Sequence, residues 1–507
     1  MDEIPGLTRK ALHRTRVSRD ARFDGKFFIA VTSTGIYCRP ICPSPTSKNL
    51  NVRYYASAAA AASAGFRPCR RCRPEVAPGS SAWIGTSAVV RRALRLIDEG
   101  VLNEHFVPEL ALKPCVSARY LGRLFLKHVG ASPIAVAQMR RLHFAKQLLD
   151  ETDLSITRIA MASGFKSLRR FNDAYRDMYQ RAPRETRRRK ANKSASANDE
   201  RICLGLSYRP PYDWEHLAGF LSKQSIRGVE RVDARGYART LRLGKYHATI
   251  LVSPIKGTHV LQLQVSGAAP GDLMEIASTA RRVFDVSADL QLIGEVLKAD
   301  PVLRALVNAR PGLRIPGVWD PFECAVRAIL AHRDDEMVGR RRAVALIERC
   351  SEVLADGADG LTRLFPTAQA LATVDLTGIG LTMRRRTALQ AFALAVDSKE
   401  IHFLAPADEV IKAFARIEGF TARAAQYVAL HALGEPDAFP ASDFVSTVRL
   451  FGAQPLGSTR AVEARSQAWR PWRSYAAMYL WEAASEKRKS HALFEGFHAG
   501  PDRRYVA

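Results

Sequence analysis

No stretch of the chain approaches the roughly 18 uncharged apolar residues that a membrane-spanning helix needs, and the longest bland run, Ala56 to Ala64, is only alanine and serine. No apolar core follows Met1-Asp2-Glu3 or stands behind Lys10 and Arg14, so a secretory signal is not expected. Cysteine is sparse, with eight residues in 507. That density excludes a disulfide scaffold, and in a cytoplasmic chain the thiols stay reduced. Acidic side chains are also short, 50 against 76 basic ones, for a net charge of +26. The shortfall is uneven. Residues 1–200 carry 36 basic and 17 acidic groups, a net of +19, and the remainder only +7. An N-terminal part that faces a polyanion is expected, nucleic acid above all, in a cytoplasmic chain with no membrane. Apolar residues at 47% and charged residues at 25% are ordinary for folded protein, and the length suggests roughly three or four domains.

Breaks in pattern fall at Pro74–Ser81 and at Arg187–Glu200, where the basic run Arg187-Arg188-Arg189-Lys190 leads into small polar residues, as in a linker. Between the breaks, apolar residues recur three and four apart, a helical pattern. Beyond the second break come β-like runs at Tyr237–Leu243, Thr249–Val252 and Val260–Val265, and from about Val283 the pattern is helical again.

The first helical segment repeats itself. Leu110-Ala111, Val116-Ser117, Leu121, Phe125 and Pro133 recur as Ile159-Ala160, Phe165 with Ser167, Phe171, Tyr175 and Pro183. In the second copy Gly164 supplies a tight turn and Ser167 caps the next helix, a helix-turn-helix layout. A plain helical bundle would share this periodicity, but Lys166, Arg169, Arg170 and Arg176 around the turn favour DNA. On these residues the segment 88–188 resembles the AraC-type DNA-binding domain. The resemblance implies one helix of each copy in successive major grooves, about Ala118–Lys127 and Leu168–Tyr179 here. In the first copy Pro114-Cys115 stands in place of the turn glycine.

The spacing Cys38-x3-Cys42, then Cys69-x2-Cys72, is that of a zinc site, because thiolates from two short loops supply a tetrahedral shell. Arginines 39, 67, 70, 71 and 73 lie close in sequence and would offset the −2 charge of zinc with four thiolates. Thr34-Gly35-Ile36-Tyr37-Cys38-Arg39-Pro40, with Ala64-Gly65-Phe66-Arg67-Pro68-Cys69-Arg70-Arg71-Cys72, closely resembles the N-terminal domain of the Ada alkylation-response family over about residues 8–77. That resemblance implies one zinc ion, with Cys38 as both ligand and acceptor of a methyl group from a DNA methylphosphotriester. It also implies DNA contact by Thr34, Arg39 and Arg67, and transcriptional activation with RNA polymerase as the target. Where that family carries arginines after the second cysteine, this chain has Pro43-Ser44-Pro45. The Pro-Cys-His-Arg motif of Ada's second methyltransferase domain does not occur.

Residues 201–500 instead resemble the AlkA-type 3-methyladenine DNA glycosylases, through Leu206–Trp214, Pro311–Glu323 and Trp472–Ala476. The resemblance implies base flipping and cleavage of the glycosidic bond, with Asp443 as the carboxylate and Tyr427, Trp481, Arg423 and Phe444 around the base. It also implies Gly419 in the DNA-gripping hairpin and Arg333 at the wedge position. The hairpin reads Ile417-Glu418-Gly419-Phe420-Thr421 rather than Gly-x-Gly, and Arg423 stands where the family often has tryptophan. An arginine cannot form a Schiff base, so cleavage without strand nicking is expected.

The expected architecture is multidomain. It comprises a zinc-bound α/β domain (1–79), an all-α double helix-turn-helix (85–188), a linker (189–200), an α+β domain of the TBP-like AlkA N-terminal type (201–285), and an all-α helix-hairpin-helix glycosylase domain (286–500). The function that these resemblances imply is that of an alkylation sensor and activator fused to a glycosylase, with double-stranded DNA, promoter and alkylated, as the partner and a cytoplasmic, nucleoid-associated location in a bacterium. The alternative is a regulator whose C-terminal half binds DNA without catalysis.

Overall fold

The computed structural model describes residues 4, 7–78, 88–114, 116–187, 201–331, 336–445 and 458–498, without the side chains of 88, 104, 336 and 486–498. Arg333, Cys115 and the expected linker at 189–200 lie outside the described residues. Among the described residues no helix is long and apolar enough to cross a membrane.

The N-terminal module runs α1 (Arg9–Ser18), β1 (Phe28–Val31), β2 (Ile36–Cys38), β3 (Val52–Tyr55), α2 (Ala58–Ser63) and β4 (Arg67–Pro68). Its sheet has the order β3-β1-β2-β4, with β4 parallel to β2. The alanine run is a helix because Ser57 caps it, accepting from the Ala60 N–H at 3.0 Å, and its methyl groups are small enough to be buried against the sheet.

The helical segment comprises α3 (Ala88–Asp98), α4 (Val101–Glu104), α5 (Val107–Leu112), α6 (Ala118–His128), α7 (Pro133–Glu151), α8 (Ile156–Ala162), α9 (Leu168–Tyr179) and α10 (Pro183–Thr186). Both expected groove helices are present. α9 has the expected limits and α6 runs one residue further than expected. Ser117 and Ser167 cap them, and Gly164 adopts φ +76° in the turn, where an added Cβ would meet the Asn103 side chain at 2.5 Å. The repeat's apolar positions Leu110, Leu121, Phe125, Ile159, Phe171 and Tyr175 are all buried.

The C-terminal half opens with β5 (Ile202–Ser207), α11 (Trp214–Gln224), β6 (Glu230–Asp233), β7 (Gly236–Leu243), β8 (Tyr246–Pro254), β9 (Val260–Ser266) and α12 (Leu273–Val283). The five strands pair antiparallel in the order β5-β9-β8-β7-β6. The three expected β runs are β7, β8 and β9. The helical part holds α13 (Leu290–Leu297), α14 (Pro301–Ala309), α15 (Pro321–Ala331), α16 (Glu336–Cys350), β10 (Val353–Ala358), β11 (Leu361–Arg363), α17 (Ala368–Thr373), α18 (Met383–Asp397), α19 (Ala407–Ala415), α20 (Ala422–His431), α21 (Thr459–Ser466) and α22 (Arg473–His498). The β10–β11 hairpin interrupts a region expected to be helical. Its cause is Asp359-Gly360, both at positive φ (57° and 80°), a turn that returns the chain on itself.

The sheet's core continues into the helix-turn-helix segment, since Leu148, Phe171, Tyr175 and Tyr179 share one buried cluster with Leu204, Val252 and Leu263. β5 is an edge strand, and α7 seals it. Glu151 accepts from the Gly205 N–H at 2.9 Å, and Gln147 donates to the Gly205 carbonyl at 2.8 Å.

Candidate functional sites: metal centre and acidic pocket

Cys38 ends β2, and its partner strand β4 delivers Cys69, whose N–H donates to the Tyr37 carbonyl at 2.9 Å. Tight turns then bring in Cys42 and Cys72. The four sulfurs lie within 4.8 Å of one another, and the Cys42 and Cys69 Sγ atoms are 3.9 Å apart. Four thiolates around zinc at about 2.3 Å stand about 3.8 Å apart, so the donor set fits that ion. Cys69 and Cys72 are buried, whereas Cys38 and Cys42 are partly open. Hydrogen bonding with Cys42 and Cys69 pushes the Cys38 thiol up, while hydrogen bonding with Cys38 holds Cys42 down.

The arginines do several different things. Arg39 is buried. Its guanidinium pairs with Asp24, its Nη1 donates to the Cys72 carbonyl at 2.9 Å, and its backbone N–H donates to Cys72 Sγ at 3.3 Å. It therefore braces the cluster from inside rather than presenting a guanidinium to DNA, which corrects the expectation. Arg70 donates to the Tyr179 carbonyl at the end of α9, and Arg73 pairs with Glu75, Asp150 and Glu151. Thr34 is exposed in the β1–β2 turn. Arg67 lies opposite Ile36 on the neighbouring strand, so the two belong to one rim. The loop after Cys42 is laced from α1, with Arg19 bonding the Ser44 carbonyl and Arg16 bonding the Ser47 carbonyl and Asn49. Arg16, Arg19 and Asp24 were not anticipated, because nothing in their local sequence marks a partner 15 to 33 residues away. Lys166, Arg169 and Arg170 are exposed at the head of α9.

The second site is built on α20, α22 and the turn at Ala441–Phe444. Arg423, Tyr427 and His431, four apart, share one face of α20. Gln426 accepts from the Phe439 N–H at 3.1 Å and so fixes the approach to Asp443. The Asp443 carboxylate is nearly buried. It accepts from Trp481 Nε1 at 3.2 Å and pairs with Arg423 Nε at 2.5 Å. The Tyr427 and Trp481 rings lie 6.4 Å apart, and the Tyr427 hydroxyl meets the Gln224 amide from α11 at 3.0 Å. Phe444 is fully buried, packed between Phe439 and Trp481 (5.1 and 5.6 Å), so it supports the tryptophan from behind and does not line the opening. His431 stacks parallel to Trp481 at 6.1 Å. Gln224 and His431 were missed, since a glutamine at a helix end and a histidine on an apolar face carry no signal of their own.

The hairpin joining α19 to α20 turns on Gly419 at φ +91°, where a Cβ would also stand 2.9 Å from that of Ala388. Thr421, in the place of a second glycine, caps α20 by accepting from the Ala424 N–H at 3.2 Å.

A thiolate metal centre, a double helix-turn-helix and a carboxylate-aromatic pocket behind a helical hairpin define a multidomain, DNA-directed protein. Family models match in the same order: the metal binding domain of Ada over residues 11–75, a helix-turn-helix domain over 110–189, and the AlkA N-terminal domain over 203–320. The chain is 38% identical over 476 residues to the probable bifunctional transcriptional activator/DNA repair enzyme AlkA of Mycobacterium tuberculosis, covering 92% of this chain and 95% of that protein. It is 31% identical to DNA-3-methyladenine glycosylase 2 of Escherichia coli, over 54% of this chain and 95% of that one. It is 34% identical to the bifunctional Ada protein of Escherichia coli, over 32% of this chain and 45% of that one. The chain belongs to the family of Ada–AlkA fusions, the bifunctional transcriptional activator/DNA repair enzymes.

Proposed function

We propose that this protein senses DNA alkylation through Cys38 and excises alkylated bases with the aid of Asp443. The observation that carries the reading is the pairing of a partly open thiol in a zinc-fitting cluster with a nearly buried carboxylate flanked by Trp481 and Tyr427 in one chain. A single zinc ion held by Cys38, Cys42, Cys69 and Cys72 would keep the thiols deprotonated at neutral pH. The Cys38 thiolate attacks the methyl carbon of a phosphotriester, an S–C bond forms, the C–O bond breaks, and the phosphodiester oxygen leaves as the anion. The sulfur ends as a neutral thioether, which reduces the negative charge facing DNA phosphates and favours promoter binding by α6 and α9, with RNA polymerase as the downstream partner.

In the pocket, a flipped purine lies against Tyr427 and Trp481. The N-glycosidic bond breaks with its electron pair going to the base. Asp443 stabilises the sugar cation while water adds at C1′ and loses its proton. The ion pair between Arg423 and Asp443 favours the second reading, in which the carboxylate is masked and this half only binds DNA.

One comparison separates the two readings: release of 3-methyladenine and 7-methylguanine from methylated duplex by the wild type and by Asp443→Asn. Release that the substitution abolishes supports the repair enzyme. No release of these bases or of hypoxanthine, with methyl transfer to Cys38 intact, establishes the regulator. Loss of methyl transfer in Cys38→Ala, with one zinc per chain in the wild type, tests the sensor.

A further inference from the structure

Arg423 is placed against its local electrostatics. It is the second residue of α20, in a first turn without acidic residues, where the helix dipole disfavours a cation. What holds it there is Asp443, at 2.5 Å from Nε. The guanidinium is half exposed (48%) and the carboxylate it pairs with is nearly closed off (9%). Among the described residues its two Nη groups bond no protein atom. A planar pair of N–H donors thus stands on the carboxylate that also accepts from Trp481 Nε1, one helical turn before Tyr427.

We infer that Arg423 is a specificity-determining residue that favours neutral purines with free O6 and N7 acceptors over cationic N-alkylpurines. The inference rests on the excision reading above and deepens it. A guanidinium donates in two parallel bonds to the O6/N7 edge of a purine. Hypoxanthine presents that edge and carries no charge. In 7-methylguanine the methyl group removes the N7 acceptor and the ring is cationic, so the same guanidinium repels it. A base that accepts from Arg423 also loosens its hold on Asp443 and frees the carboxylate for the sugar cation. A cationic base leaves the ion pair closed.

The test is single-turnover excision of hypoxanthine and of 7-methylguanine from matched duplexes by the full-length wild type, Arg423→Gln and Arg423→Lys. Arg423→Gln is expected to lower the hypoxanthine-to-7-methylguanine rate ratio by roughly ten- to hundred-fold, mostly through faster release of the cationic base. Arg423→Lys keeps the charge without the fork, so it is expected to go on rejecting 7-methylguanine while losing hypoxanthine excision. An unchanged far-ultraviolet circular dichroism spectrum reports that the variants are folded. If both bases are released and Arg423→Gln leaves the ratio within about two-fold of wild type, the assignment is overturned while the excision reading stands. If no protein releases either base, the excision reading fails and takes this inference with it.

Discussion

His431 shows how a single buried residue supports the site, through the ring it stacks on Trp481. Its Nδ1 lies 2.6 Å from the Pro316 carbonyl, so that nitrogen carries the proton, and Nε2 has no partner among the described residues. Phe220 stacks on the ring at 5.5 Å, and Trp481 lies parallel to it at 6.1 Å. Burial pushes its pKa down to about 4. A histidine with a lowered folded-state pKa contributes its full stability above the unfolded value near 6.5, and loses it as pH falls towards 4, because only the unfolded chain takes up the proton. Asp285 and Asp320, each raised to about 6 by burial, slope the other way between pH 4 and 6. The histidine is therefore read by difference. Between pH 7 and 4.5 the wild type is expected to lose about 2–3 kcal/mol more than His431→Phe does, measured by chemical denaturation. Equal losses would show that the folded ring takes up its proton at the same pH as the unfolded chain.

At the scale of elements, the hairpin before α20 separates two roles. Gly419 alone meets the backbone requirement, with positive φ and the close methyl of Ala388. Thr421 serves the helix, as N-cap to Ala424. Thr421→Ala is expected to cost about 1 kcal/mol and Thr421→Gly only a few tenths, measured by thermal denaturation. A larger loss in the glycine variant would mean that the threonine acts beyond its cap. This is also where the sequence was most legible. The cap at Ser167, the Gly164 turn, the limits of α9 and the two close cysteine pairs are all features encoded within a few residues. The partners of Arg39, Tyr427 and Tyr37 are Asp24, Gln224 and His143, up to 203 residues away, and no local pattern specifies them. Arg39 was misjudged for that reason: its proximity to Cys38 was visible, but the buried carboxylate that turns it inward was not.

At the scale of the molecule, the sensor and the pocket half are joined by more than covalent continuity. Lys26 of the metal module pairs with Asp289 at 2.7 Å with both side chains buried, and Arg209 donates to the Asp24 carbonyl at 2.7 Å. Burial pulls the Lys26 pKa down and Asp289 opposes the shift, as in an ion pair removed from water. Asp24 also holds Arg39, so this contact lies two side chains from Cys72. A cavity of about 410 Å³ remains where the parts meet, lined among others by Glu75, Arg91, Arg281 and His431. Docking therefore rests on the shared core of α7–α9 with the sheet and on these few buried charges. The prediction is that the halves stay together when a protease site placed within residues 189–200 is cut, co-eluting in size-exclusion chromatography. Asp289→Ala leaves the Lys26 charge buried and unpaired, at a cost of about 3–5 kcal/mol, and is expected to let the cut halves separate. Replacing both partners, Lys26→Met with Asp289→Leu, removes the stranded charge and is expected to restore co-elution. Separation of the cut wild-type halves would show instead that residues 189–200 alone join them, and that the metal module has no packed route to the Asp443 site.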